Sequence, residues 1–346
     1  MSSMMLKAAL SSTGTRISAN RSFERELAQL ESMSGRVVDA QDIAQVRKAL
    51  GHANNYLVAK AARIATEHNL QALLPEALAA FERFFIDPVK NDPQCWAKSA
   101  LAKALVKMEC RDANVYLLGL RHHQEEPVWG GQSDTAGALR GTCTLALVAC
   151  PGLNNIELLD LLLEPLIDSD KTVRMEAVRA IGLAGGPTAS LLLKMRVLLR
   201  KEDPEVLGVC FSALLALEGS NPAAIELVAD FLDDEEDTAA EAAYSLADTH
   251  NIEALKALVA RRRQGADAWF GSVLDNAIAL TRLSAGIEFL LDVIEEDARL
   301  APSALEAISR VYDSSEIRAR VAQAVVSSGS ERVQLAFRQH FPGTPL

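Results

Sequence analysis

The stretch "DSDKTVRMEAVRAIGLAGG", Asp168 to Gly186, decides how the chain is read. As a helix it puts Val173, Ala177, Ala180 and Ile181 at i, i+4, i+7 and i+8, the spacing of a stripe buried against a neighbour. Aspartates precede the helix and Gly185-Gly186-Pro187 follow it, so a cap and a stop frame the pattern.

The same stripe recurs along the chain. Upstream it reads Val58, Ala62, Ala65, then Ala97, Leu101, Ala104, Leu105, then Leu139, Cys143, Ala146, Leu147. Downstream it reads Val206, Cys210, Ala213, Leu214, then Thr238, Ala242, Ser245, Leu246, then Val273, Ala277, Leu280, with weaker copies centred on Ala307 and Ala336. From Ala62 to Ala336 the anchors lie 29 to 42 residues apart, the length of one helix-turn-helix unit. A second amphipathic segment precedes each anchor, as in "TASLLLKMRVLLR" and "IEALKALVARRR". A hairpin with two apolar faces cannot bury both alone, so the units are expected to stack.

Composition agrees. Hydrophobic residues make up 49% of the 346 positions while aromatics make up only 5%, an Ala- and Leu-rich balance that favours packed helices over sheets. The fold class expected is all-α, a right-handed α-α superhelix of about nine helical hairpins. Its expected bounds are residues 39–341, with a flexible N-terminal segment over 1–38 carrying a capping helix in "SFERELAQLESM" and a tail over 342–346. Five cysteines without a CxxC pair suggest neither a disulfide framework nor a zinc site. With no long apolar run and no secretory leader, the reading is a cytoplasmic protein with no membrane partner.

The combination "D…VR..A..AI", carried by Asp168, Val173, Arg174, Ala177, Ala180 and Ile181, resembles the HEAT repeat of armadillo/HEAT-like solenoids, including the bacterial HEAT-like repeats related to those of phycobilisome lyases. The resemblance implies a ladder between neighbouring units, built from the turn aspartate and the arginine six residues later. This chain keeps that offset as Asp92 and Lys98, Asp134 and Arg140, and Asp168 and Arg174. Later units depart from it, with Leu207, Ala239 and Leu274 at the cation's position.

Charge is uneven. Residues 1–110 hold 14 basic against 11 acidic side chains, while residues 221–300 hold 6 against 17. An acidic surface repels phosphate backbones, so no nucleic acid is expected and a protein partner with a basic surface is. The run Asp233, Asp234, Glu235, Glu236 and Asp237 is the clearest docking strip, although Arg261-Arg262-Arg263 in the next unit's equivalent turn offers mutual compensation instead.

One stretch interrupts the pattern. "RHHQEEPVWGGQ", Arg121 to Gln132, lengthens the turn inside the third unit, whose second helix is expected to be capped by Ser133 or Asp134. His122, His123, Glu125 and Glu126 are acceptable metal ligands, but adjacent histidines diverge and no HExxH accompanies them. Trp129 before Gly130-Gly131 fits a recognition loop better, or else a long turn folded back onto its neighbour. Trp269 is the other aromatic expected to be partly exposed.

No nucleophile-base grouping or cofactor motif stands out, and no small-molecule ligand is named by the residues. The functional expectation is therefore a non-enzymatic scaffold or adaptor that binds a protein along its concave face or acidic turn edge. The resemblance also implies an alternative, an accessory or catalytic protein such as a lyase-type chaperone of a cofactor-bearing protein or a DNA glycosylase-like enzyme.

Overall fold

A computed structural model describes residues 23–219 and 221–346, which group into two compact units, one ending at Ala180 and one beginning at Ile181. Of the flexible segment expected over residues 1–38, residues 1–22 lie outside the described residues. Residues 23–31 form a helix, α1, which buries Leu30 and leads to a buried Met33.

In the first unit α2 (Ala40–Leu50) packs on α3 (Asn55–Glu67) as a hairpin. Next come α4 (Leu74–Arg83), the four-residue α5 (Pro88–Asn91) and α6 (Trp96–Lys107). The third hairpin is α7 (Ala113–Leu120) and α8 (Gly137–Ala146), interrupted by strands β1 (Glu125–Val128) and β2 (Gly131–Asp134). Last are α9 (Asn155–Leu161), α10 (Leu163–Leu166) and α11 (Lys171–Ala184), which runs through the boundary between the units.

Five hairpins make the second unit: α12 (Gly186–Leu198) with α13 (Pro204–Glu218), α14 (Pro222–Ala229) with α15 (Glu236–Asp248), and α16 (Ile252–Arg263) with α17 (Ala268–Leu280). They continue with α18 (Ser284–Glu296) and α19 (Ala301–Val311), then α20 (Ser315–Ser328) and α21 (Glu331–His340).

Local chemistry sets these boundaries. Asp39 and Asp42 form a reciprocal capping box at α2, and Asn154 with Glu157 does the same at α9. Asn54, Asp112, Asn221, Asn251 and Asp267 each accept a backbone N–H from the first turn of the helix that follows. Without them those turns would leave orphan donors at every helix start.

The core of each unit lies along its second helices. In the first unit α3 packs on α6 and α6 on α8; in the second, α13, α15, α17, α19 and α21 pack in series. The anchors Ala62, Leu101, Cys143, Ala177, Cys210, Ala242, Ala277 and Ala307 are all fully buried. Small anchors permit this spacing: a Cβ added to Gly119 of α7 would run into the Cys143 sulfur of α8.

Two expectations change. At the final hairpin the stripe shifts from Ala336 to Val333 and Phe337, because Phe337 stacks on Phe341 with ring centroids 5.3 Å apart and closes the core with bulk rather than with another helix. In the third hairpin the second helix starts at Gly137 with Ala136 as its cap, not Ser133 or Asp134, because Asp134 ends β2 and its carboxylate takes the Gln124 and Ala136 N–H groups and the Arg140 guanidinium.

Candidate functional site

The non-repeat insert is a small antiparallel ribbon in an otherwise helical chain. Glu125 pairs with Asp134 and Val128 with Gly131, leaving Trp129 and Gly130 as a two-residue loop. Gly130 takes φ +91°, which a side chain would resist.

A buried polar network fixes the base of this ribbon. Asp92 and Lys98 are both fully buried and pair at 3.1 Å. The Asp92 carboxylate also accepts the N–H groups of Ala97 (2.8 Å) and Lys98 (3.0 Å), and the Asn55 amide of the preceding hairpin (3.0 Å). Lys98 Nζ donates to Gln124 Oε1 at 2.8 Å, and Gln124 Nε2 donates to Glu126 at 2.6 Å. Glu126 further accepts from the Gln94 N–H (2.6 Å) and the Thr135 hydroxyl (2.7 Å). Burial pushes the Glu126 carboxyl upward, but these donors outweigh it and leave the group below its ordinary pKa.

A second cluster continues toward α11. Arg140, only 2% exposed, donates to Asp134 at 2.5 Å and to Asp168 through two bonds of 2.7 and 2.9 Å. Arg174 Nη1 then donates to the Asp168 carbonyl at 2.8 Å. Burial raises the Asp134 carboxyl, yet the N–H groups of Gln124 and Ala136 and the Arg140 guanidinium hold it at about 2. The turn aspartates and the cations six residues on thus meet in the first unit.

Most of the insert faces solvent, but Gln124 and Glu126 turn inward and His122 is half-buried. Glu126 is 5% exposed, so the expectation of a partner-facing carboxylate there gives way to a structural one. His122 is half-buried with its ring edge-on to Phe85 at 4.9 Å, and burial lowers its pKa. His123 is exposed and its Nδ1 lies 3.1 Å from Asp134, while Glu125 is exposed. Trp129 has all of its surface in solvent, at 103% of its reference area, with the half-exposed Val128 beside it.

In the second unit the acidic run divides. Asp233 pairs with Arg261 at 2.8 Å and Asp234 with Arg200 at 2.7 Å, the compensation that the sequence offered as an alternative to docking. Glu235, Glu236 and Asp237 are exposed, and among the described residues none has a cation within 4 Å. Glu241, one turn on, is raised by burial and by the nearby charges of Glu205 and Asp237. Trp269 is partly exposed and stacks on Phe270 at 6.3 Å.

Sequence reasoning missed several partners. Gln94, Gln124 and Thr135 carry no repeat signal, because their role depends on a turn folded against a ribbon. Arg262, in sequence one of three consecutive arginines, is buried and makes two bonds, of 2.7 and 3.1 Å, to the fully buried Asp275.

All five cysteines are buried, and burial pushes Cys95 and Cys210 up to about 12, far from a reactive thiolate. Among the described residues no three His, Cys, Asp or Glu side chains form a metal-binding group, and no helix is long and apolar enough to cross a membrane.

Comparison with known proteins agrees with the repeat. Residues 155–247, from α9 to α15, match the family model for HEAT repeats. No curated protein matches the chain. Among solved structures it is similar to an engineered protein at 16% identity, covering 92% of this chain and 93% of that one, with a TM-score of 0.38 that carries no argument.

Proposed function

We propose that the chain is a non-enzymatic helical-repeat scaffold that captures a protein partner with the Trp129 ribbon of its first unit. The observation that carries this reading is a wholly exposed indole on a base held by buried polar bonds. A tryptophan covered by a partner removes roughly 150–250 Å² from water, or about 4–6 kcal/mol at 25 cal/mol/Å² before the costs of association. Because the ribbon's base is already ordered, less entropy is lost when the tip is covered. Val128, Glu125 and His123 would form the rim of such a contact.

A second reading has its own support. Glu235, Glu236 and Asp237 stay uncompensated while their neighbours are paired, which favours a basic partner at that edge of the second unit. The lyase-type and glycosylase-type alternatives gain less support from the side chains, since the thiols are buried and the basic, aromatic face around Trp96 also carries Glu31 and Glu67.

Pull-down from the native source with mass spectrometry tests both. Trp129→Ala is expected to lose the captured partner with the fold intact; unchanged recovery would sink the ribbon reading. Neutralising Glu235, Glu236 and Asp237 together is expected to remove salt-sensitive capture, and indifference to it would remove the acidic edge.

A further inference from the structure

The exposed sides of α3 and α6 form a surface of opposite character to the acidic edge. Tyr56, Lys60, Arg63 and Glu67 follow one another along α3, and Trp96, Lys103 and Lys107 along α6, at spacings that keep each set on one helix face. At one end Tyr56 meets Trp96 edge-on at 5.7 Å, and Trp96 is still 48% exposed. Alongside lies a cleft of about 280 Å³ whose walls include Arg63, Thr66, Trp96, Ser99 and Lys103.

The cations of this cleft lack partners. Lys60 reaches Glu31 at 3.5 Å, but Arg63 and Lys103 are exposed and neither has a carboxylate within 4 Å among the described residues. Glu67, the acid in the wall, is engaged by the Gly35 N–H at 2.7 Å and the Ser34 hydroxyl at 3.0 Å, which hold its carboxyl below the ordinary range. Two unpaired cations beside an indole are a charge-and-apolar pair awaiting a complementary ligand.

We propose that this cleft binds an acidic peptide segment of a partner protein, with an apolar side chain on Trp96 and a carboxylate on Arg63 and Lys103. Trp96 and Lys103 are seven residues apart on one helix, about 10 Å at 1.5 Å per residue. An extended peptide covers that span in about three residues, at roughly 3.3 Å each. The ligand is therefore a segment with an aromatic or large aliphatic residue and an acidic pair about three positions away. Nucleic acid fits less well, because its charge runs along the whole backbone and would pass Glu31 and Glu67, whereas a peptide can confine its carboxylates to the Arg63 and Lys103 end. The inference rests on the scaffold reading but not on the ribbon, since it uses none of the ribbon's residues.

The test uses the full chain carrying Trp129→Phe and Trp269→Phe, so that Trp96 is the remaining indole of the three in the sequence. Its fluorescence is titrated with a synthetic heptapeptide, Gly-Phe-Gly-Ser-Glu-Glu-Gly, and with the same peptide carrying Gln for Glu. Saturable change with the acidic peptide, at least tenfold weaker with the Gln peptide and at least tenfold weaker in Arg63→Glu/Lys103→Glu, supports the proposal. Circular dichroism of that variant checks that its helices persist, and Lys103→Gln alone, a milder change, is expected to weaken binding several-fold. No saturation by about 1 mM acidic peptide, equal binding of the Gln peptide, or tighter binding of a short oligothymidylate overturns it. Because Trp129 is already replaced in this background, failure here leaves the ribbon reading standing, and failure of Trp129→Ala in pull-down leaves this one.

Discussion

In the first unit the position six residues after the turn aspartate holds a cation, buried at Lys98 and Arg140 and half-buried at Arg174; in the second unit the equivalent positions are Leu207, Ala239 and Leu274, buried and apolar. The helices around them pack alike, so the polar version is not needed to hold a hairpin stack together. Buried ion pairs often break even against hydrophobic residues of similar size. What the polar version adds is direction. Lys98 reaches Gln124 and Arg140 reaches the His122 carbonyl, so the same charges that occupy the turn also anchor the ribbon that carries Trp129. The second unit has no such ribbon among its described residues and fills the positions with plain core.

Substitutions at these positions put the contrast at risk. The largest effect is expected for Arg140→Ala, which leaves the Asp134 and Asp168 carboxylates without their shared cation; about 3–5 kcal/mol should be lost in denaturant unfolding. Replacing Arg140 by Met together with Asp134→Asn and Asp168→Asn should cost much less. Equal costs for the two variants would mean that shape, not charge, matters at this position. Leu274→Ala in the second unit comes next, at about 2–4 kcal/mol from lost burial and a cavity, and its cost should not change with salt.

Acid separates the units further. The Asp134 pKa is depressed from 3.8 to about 2 in the folded state, so its contribution is complete above pH 4 and disappears as pH falls through 2. On the order of 2 kcal/mol is at stake, and thermal midpoints measured from pH 5 to pH 2 should fall less steeply in Asp134→Asn than in the parent. A parallel fall in both would remove Asp134 from the account. The smallest expected effect is that of Trp129→Ala on stability, within about 0.5 kcal/mol, because the indole touches solvent rather than core. A larger loss would show that the ribbon tip packs against something.

How much of this was legible in sequence depends on how local the cause is. Buried stripes and caps are set within one or two helical turns, so Ala177, Cys210 and Ala242 announce their helices. The Asp134 and Arg140 offset is equally local. Burial of Glu126 is not, because it is created by Gln94, 32 residues upstream, turning its N–H toward the ribbon. Arg262 escaped for a related reason: a run of three arginines reads as surface until the packing of α16 on α17 places one of them over Asp275. The ribbon itself had a signal, since Val-Trp-Gly-Gly between polar residues fits a two-residue hairpin loop, but four-residue strands are too short to compete with a helical background.

The backbone just ahead of α6 bears on how the chain folds. Gln94 and Cys95 both take left-handed φ, +62° and +53°, a conformation that costs non-glycine residues about 1–2 kcal/mol each. The Gln94 N–H ends on Glu126, so the bond that secures this strained corner comes from a residue that a ribosome adds 32 positions later. A nascent chain stopped short of Glu126 can form α3, α4 and the Asp92 bonds to Asn55, Ala97 and Lys98, yet it lacks the acceptor for the Gln94 N–H at the corner from which α6 departs. Stacking in the first unit is then not a simple march from one hairpin to the next: the second hairpin should reach native hydrogen-exchange protection only together with the third.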